Sequence, residues 1–242
     1  MSISAPVRSQ DISATASGSE LAAQLDGVSK IYGTFAALRN ASATFPAGSC
    51  TMILGENGAG KSTMLRVIAG LITPTRGKAT VFGSRPHEQR HRVAYMSHAT
   101  MLYDELTAME NLRYFARLHK SDGCDCVGSP EMALRAVGMD PNLKRPVGQY
   151  SQGMRQRTSL ARVLQTDPEI LLLDEPFSNM DVASSRQMVE LLADFRTWPV
   201  HGGGKRTVIL TTHQAALAEP IADRTLTMRL GQVVEISDRQ HG

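Results

Sequence analysis

A chain of 242 residues, 42% apolar and 20% charged, can bury a substantial core without a metal or disulfide staple. No apolar run approaches the roughly 18–20 residues that a membrane-spanning helix needs; the longest, such as Ile170–Leu173 and Val208–Leu210, are strand-sized, which excludes an integral membrane protein. A net charge of +3 with no basic block gives no case for nucleic acid, and no such partner is expected.

The first twenty residues are rich in Ser, Ala and Thr, lack the apolar centre of a secretory signal, and are expected to be disordered. From Leu21 the pattern predicts short strands ending in Ala-Gly and similar turns. A strand at Thr51–Leu54 runs into a glycine-rich loop and a helix from Ser62 to Ala69. Pro74 and Gly77 break the chain before a strand at Lys78–Phe82. Residues 99–166 carry helical spacing instead. Thr107 and Glu110 form a capping box, and Met109, Leu112, Phe115 and Ala116 mark one apolar face that belongs to the core. Gly123–Pro130 reads as a loop between helices. After Pro168 strands return at Glu169–Asp174 and Thr207–His213, with a helix at Ser184–Phe195 between them. Strands alternating with helices predict a mostly parallel α/β sheet with an all-helical insertion. Cys50, Cys124 and Cys126 make no even framework and suggest a reducing compartment. Cys124-Asp125-Cys126 lacks a second ligand pair at zinc spacing and reads as a loop with free thiols.

Three motifs carry chemistry. Gly55-Glu56-Asn57-Gly58-Ala59-Gly60-Lys61-Ser62 fits the phosphate-loop pattern in full, and Thr63 continues it into the helix. Its glycines let the backbone turn several N–H groups onto one oxyanion, and the helix that follows adds its positive end. Lys61 supplies a point charge for the β- and γ-phosphates of a nucleotide, and Ser62 a hydroxyl ligand for Mg²⁺. In Ile170-Leu171-Leu172-Leu173-Asp174-Glu175-Pro176, Asp174 stands where a buried strand emerges and can hold Mg²⁺ through water. Glu175 can polarise a water for attack on the γ-phosphate.

The third motif is Tyr150-Ser151-Gln152-Gly153-Met154-Arg155-Gln156-Arg157, ahead of the Asp174 strand. It resembles the Leu-Ser-Gly-Gly-Gln signature of ATP-binding cassette (ABC) ATPases. The resemblance covers nearly all of residues 21–236 in the family's motif order, with Ser178-Asn179-Met180-Asp181 at the D-loop and His213 at the switch histidine. It implies a single cassette over 21–242, with a phosphate-loop core, a mostly parallel sheet, an antiparallel β subdomain and a helical subdomain at about 99–166. It also implies a head-to-tail homodimer in which Ser151 and the Gly153 backbone reach the γ-phosphate held by the partner. Tyr32 would stack on adenine, Glu175 would act as base, and His213 would hold the γ-phosphate and the attacking water. Closure on ATP would drive integral membrane subunits from the cytoplasmic face of a bacterial inner membrane.

Some positions depart from the family pattern. Gln152 and Met154 replace signature residues, but Ser151 and Gly153 remain. His98, eight residues before Leu106, stands where most cassettes carry the glutamine that touches Mg²⁺ and reports to the membrane subunit. A histidine there offers a nitrogen whose charge depends on pH, and the competing reading is a satisfied structural histidine. His87 and His91 read as solvated. The signature type is similar to those of exporter ATPases. More narrowly, His98, Leu106–Leu112, Asp174-Glu175-Pro176-Phe177, Thr211-Thr212-His213-Gln214 and the short stretch after Leu230 resemble the ATPase subunits of the cytochrome c maturation haem exporter. The signature itself is closer to those of drug and polysaccharide exporters. Other bacterial exporters therefore remain open, as does a non-transport ABC ATPase acting on DNA or ribosomes. A degenerate nucleotide-binding regulator is disfavoured because Lys61, Asp174, Glu175 and His213 are all intact.

Overall fold

A computed structural model describes residues 20–121, 128–200 and 203–239. Residues 1–19 of the expected tail at 1–20, Cys124, Cys126 and most of the expected 123–130 loop lie outside the described residues.

The chain opens with two strands of 12 residues each, β1 (Leu21–Tyr32) and β2 (Phe35–Pro46). They pair antiparallel and close at Tyr32 opposite Phe35. These are longer than the short strands expected. The reason is Asp26-Gly27, a turn signal in isolation, which the sheet absorbs as a bulge between Leu25 and Val28 with Gly27 at φ 58°. With β4 (Arg76–Val81) on the other side of β1, they form an antiparallel sheet in the order β2-β1-β4. β4 starts two residues earlier than the sequence pattern suggests, and it ends one residue earlier because Phe82 takes φ 47° and turns the chain.

The second sheet has six strands in the order β5-β6-β7-β3-β8-β9. β3 (Cys50–Leu54), β5 (Val93–Met96), β6 (Ile170–Asp174), β7 (Thr207–Thr211) and β8 (Arg224–Arg229) are parallel, and β9 (Gln232–Asp238) closes the edge antiparallel. β6 and β7 are buried at every position. That is why both read as unbroken apolar runs rather than alternations. Ile170 and Leu172 pack toward α1 (Lys61–Ile68) and the antiparallel sheet, through Met64, Leu65, Leu38 and Phe45. Leu171 and Leu173 pack the other way, against Leu160 of α4 (Gln152–Leu164) and Leu192 and Phe195 of α5 (Val182–Thr197).

Between β5 and β6 the described residues form no strand, only α2 (Ala108–Ser121), α3 (Pro130–Ala136), α4 and a short 3-10 turn at Val147–Gln149. The capping box forms as expected, with Thr107 N donating to Glu110 Oε2 at 2.8 Å and Glu110 N donating to Thr107 Oγ1 at 3.2 Å. The apolar stripe behind it is only partly core. Leu112 is fully buried, but Phe115 is half-buried, because α2 packs against α3 and α4 on one side alone. Cys50 is a buried free thiol, pushed up to about 12 by burial and therefore unreactive at neutral pH.

Candidate active site

The parallel strands deliver their C-terminal ends to one cleft of about 1090 Å³, the usual place for a ligand in a sheet of this kind. β3 runs out at Leu54 into the glycine loop, and α1 begins at Lys61. Every residue from Gly55 to Thr63 lines the cleft, together with Arg66, His98, Asp174, Glu175 and His213. Two glycines are obligatory here. Gly60 caps α1 at φ 101°, and a Cβ on it would stand 2.5 Å from the Ala37 carbonyl oxygen; a Cβ on Gly55 (φ 149°) would stand 2.4 Å from that of Met228.

Lys61 is buried, with 6% of its surface exposed. Its Nζ donates to the Gly55 oxygen at 2.6 Å and the Glu56 oxygen at 3.2 Å, and lies 3.7 Å from Glu175 Oε1. The loop's own carbonyls thus aim the ammonium group into the curve that the loop makes. Asp174, at the end of β6, accepts from three hydroxyls. Ser62 Oγ reaches Oδ1 at 3.0 Å, Thr211 Oγ1 reaches Oδ1 at 2.9 Å, and Tyr95 donates to Oδ2 at 3.1 Å.

Glu175 sits in left-handed backbone at φ 54°, a strained position for a residue with a side chain. Its amide donates to Thr211 Oγ1 at 3.0 Å and to the Thr211 carbonyl at 3.2 Å, which pins the strain in place. The effect is to turn two successive carboxylates to different tasks. Asp174 stays at the Ser62 hydroxyl, while Glu175 Oε2 lies 2.9 Å from His213 Nδ1 and accepts from the His213 amide at 3.3 Å. β7 ends at Thr211, two residues short of the expected His213, so the histidine leaves the sheet and its side chain is 59% exposed over the cleft.

A hydroxyl and a carboxylate oxygen side by side suit a hard cation. Among the described residues no group of three or more His, Cys, Asp or Glu could hold a metal by itself. Mg²⁺ asks for no such cage, since it keeps waters and substrate oxygens around one or two protein ligands.

The aromatic expected at the base does not reach the cleft. Tyr32 ends β1 half-exposed beneath Lys30, whose Nζ lies 5.2 Å from the ring centroid, whereas Phe35 and Ala37 of β2 line the cavity. Tyr32 and Phe35 face each other across the hairpin end, and a sequence pattern alone could not choose between them.

Sequence reasoning also missed Tyr95. It carries no motif, and it meets Asp174 only because β5 lies beside β6 in the sheet. Burial raises its hydroxyl above the ordinary tyrosine range, and an Arg66 hydrogen bond opposes the rise, so it remains a proton donor at neutral pH. Tyr95→Phe is expected to weaken the apparent Mg²⁺ affinity about tenfold, as loss of a bond to a metal-holding carboxylate commonly does, with little change in metal-free nucleotide binding. A Mg²⁺ titration of turnover that overlays the parent would show that Tyr95 does not position Asp174.

A family model for "ABC transporter" matches residues 38–178. The ATP-binding protein NatA of Bacillus subtilis is 36% identical over 203 residues, covering 82% of this chain and 80% of that protein. The chain belongs to the ABC transporter ATPases, a family that binds and hydrolyses ATP. A sulfate/thiosulfate import ATP-binding protein, CysA of Mycolicibacterium paratuberculosis, is 34% identical over 86% of this chain. A fluoroquinolones export ATP-binding protein of Mycobacterium tuberculosis is 35% identical over 83%. The chain spans 57% and 64% of their respective lengths. Among solved structures, a dimeric, post-hydrolysis ATP-binding cassette bound to ADP and Pi superposes at a TM-score of 0.75. At 23% identity over 89% of this chain and 98% of that one, the likeness carries the cassette fold alone.

In this cassette the signature residues stand away from the phosphate-loop cleft, and neither Ser151 nor Gly153 lines it. Ser151 caps α4 by accepting from the Met154 amide at 3.3 Å. Gly153 is buried against the start of α5, where an added Cβ would come within 2.5 Å of Ser184 Oγ. Glycine at 153 is therefore required by this close packing, whatever its part in binding phosphate.

Proposed function

We propose that residues 21–242 act as the ATP-binding and hydrolysing subunit of an ABC export complex, one cassette that turns ATP-driven dimer closure into movement of a membrane subunit. The observation that carries this reading is the convergence of Lys61, Ser62, Asp174, Glu175 and His213 in one cleft. ATP would lie with its β- and γ-phosphates on the backbone of Gly55–Gly60 and on the start of α1, with Lys61 as the charge between them. Ser62, Asp174 and His98 would hold Mg²⁺, which would supply positive charge against the phosphate oxygens.

Glu175 is the base. As water attacks the γ-phosphorus, Glu175 takes its proton and the bond to ADP breaks, releasing phosphate and ADP. His213 Nδ1, 2.9 Å from Oε2, orients that carboxylate, and Nε2, which lies 3.5 Å from Gln214 Nε2, would exchange that neighbour for the γ-phosphate. Phe35 replaces Tyr32 as the surface offered to the base. Ser151 and Gly153, at the N-terminus of a 13-residue helix and outside their own chain's cleft, serve the nucleotide of a second copy, which supports a homodimer. Among the described residues no helix is long and apolar enough to cross a membrane. The passage would therefore come from integral membrane partners, with this subunit peripheral on their cytoplasmic face.

The finer reading, haem export in c-type cytochrome biogenesis, rests on His98 in the glutamine slot and on the motif stretches around Leu106 and Asp174. The relatives named above for sulfate/thiosulfate import and fluoroquinolones export support the coarser reading, an ABC transport ATPase, over any one cargo. Purification from membranes with its partners tests both. Membrane subunits with a haem absorbance band are expected, membrane subunits without one remove haem, and recovery wholly in the soluble fraction at native expression removes transport. His98 lines the cleft, which favours a functional histidine over a structural one. His98→Gln is expected to keep transport coupled to turnover and His98→Ala to lose it. Parent-like transport by both variants would make His98 structural.

A further inference from the structure

Four residues beyond Ser62 on α1 stands Arg66. That spacing places both side chains on one face of the helix, and both line the nucleotide cleft. Their targets converge. Ser62 Oγ donates to Asp174 Oδ1 at 3.0 Å. Arg66 Nε donates at 3.5 Å to the hydroxyl of Tyr95, which donates in turn to Asp174 Oδ2 at 3.1 Å. One helix therefore reaches both oxygens of the same carboxylate, the first directly and the second through a tyrosine of β5.

The chemistry of these groups sets the direction of the chain. A guanidinium only donates, a carboxylate only accepts, and a phenol can do either. With Arg66 donating to its oxygen, the Tyr95 hydroxyl turns its own proton to Asp174. The two oxygens of Asp174 are held unequally. Oδ1 has the hydroxyls of Ser62 and of buried Thr211, at 3.0 Å and 2.9 Å, whereas the hydroxyl on Oδ2 is that of Tyr95. The plane of the carboxylate thus depends on Tyr95, and the aim of the Tyr95 proton depends on Arg66. Two plainer roles compete. Arg66 is exposed in the last turn of α1, where a cation complements the helix dipole, and from the cleft wall it could meet a phosphate directly. Neither role requires the bond to Tyr95.

We propose that Arg66 is a positioning residue for Asp174, acting through the Tyr95 hydroxyl to hold the carboxylate beside Ser62. This role rests on the reading of Asp174 as a Mg²⁺ residue.

The test is equilibrium binding of a fluorescent ADP by the full chain, with no turnover, across a titration of Mg²⁺. Arg66→Met keeps the stem of the side chain and loses the donor. It is expected to raise the Mg²⁺ concentration at half-effect about threefold, less than Tyr95→Phe because the Arg66 bond is long. Nucleotide affinity without Mg²⁺ should stay at the parent value. Arg66→Lys, whose Nζ extends one bond past the place of the arginine Nε, should keep the parent curve. In a Tyr95→Phe background, Arg66→Met should add nothing. A parent-like curve for Arg66→Met overturns the proposal, as does a loss in Arg66→Lys equal to that in Arg66→Met. A threefold loss that persists without Tyr95 overturns it too, and so does an equal loss in the absence of Mg²⁺, which would make Arg66 a direct phosphate contact. Asp174→Asn in the same titration separates the two levels. If it shifts the curve while Arg66→Met does not, only the role of Arg66 fails. If Asp174→Asn leaves the curve at the parent's, the Mg²⁺ reading fails and the role of Arg66 falls with it.

Discussion

Lys61→Ala is expected to abolish ATP turnover and to weaken ATP binding by about 10- to 100-fold, the range lost with a hydrogen bond to a charged group. Lys61 is the cation that the glycine loop itself holds in place, 2.6 Å and 3.2 Å from the Gly55 and Glu56 oxygens. No other side chain can substitute: Arg66 lines the cleft but is turned to Tyr95, its Nε 3.5 Å from the hydroxyl. The effect on turnover should exceed the effect on binding, because charge gathers on the phosphate oxygens as the bond breaks, and a positioned charge is worth more there than in the ground state. The variant should still fold, since Lys61 is not part of the apolar core that Met64 and Leu65 on the next turn help to build. ATPase activity equal to the parent's would remove the phosphate-loop assignment.

Glu175→Gln should separate binding from chemistry. The amide is nearly isosteric, so the two bonds from the Glu175 backbone to Thr211 and the contact with the His213 amide can persist. What disappears is the group that accepts the water's proton, and the rate should fall about 10²- to 10⁴-fold. With hydrolysis blocked and ATP still bound, the closed homodimer should accumulate, visible as an ATP-dependent doubling of mass in size-exclusion chromatography. Glu175→Ala is a poorer test, because it also removes the partner that His213 Nδ1 meets at 2.9 Å. Hydrolysis at the parent rate by the Glu175→Gln complex with its membrane partners would show that another residue is the base.

These two residues differ in how visible they were. Lys61 belongs to a contiguous loop whose function is local, so eight consecutive residues were enough to identify it. Glu175 was visible as the second acid after a buried strand, but its left-handed backbone and its bond to His213 were not. They depend on Thr211, 36 residues away in the chain and adjacent across the sheet. Tyr95 was invisible altogether, because 79 residues separate it from the carboxylate that it holds. Tyr32 stands outside the cleft lining for a related reason. A hairpin brings it opposite Phe35, and only the shape of that hairpin decides which ring faces the cleft.

The amino-acid sequence by itself determined the alternation of strands and helices around the motifs, the loop that can wrap a phosphate, the paired acids, the helical insertion and the membership of an ATPase family. Each depends on spacing within a few residues, which glycine torsions, strand alternation and helix caps make legible. Tertiary structure alone decided which hydroxyls hold Asp174, which aromatic lines the cleft, and that the signature residues leave it. Those properties arise where strands and helices distant in the chain come together, and desolvation there sets the cost of each charge according to neighbours that no local pattern names.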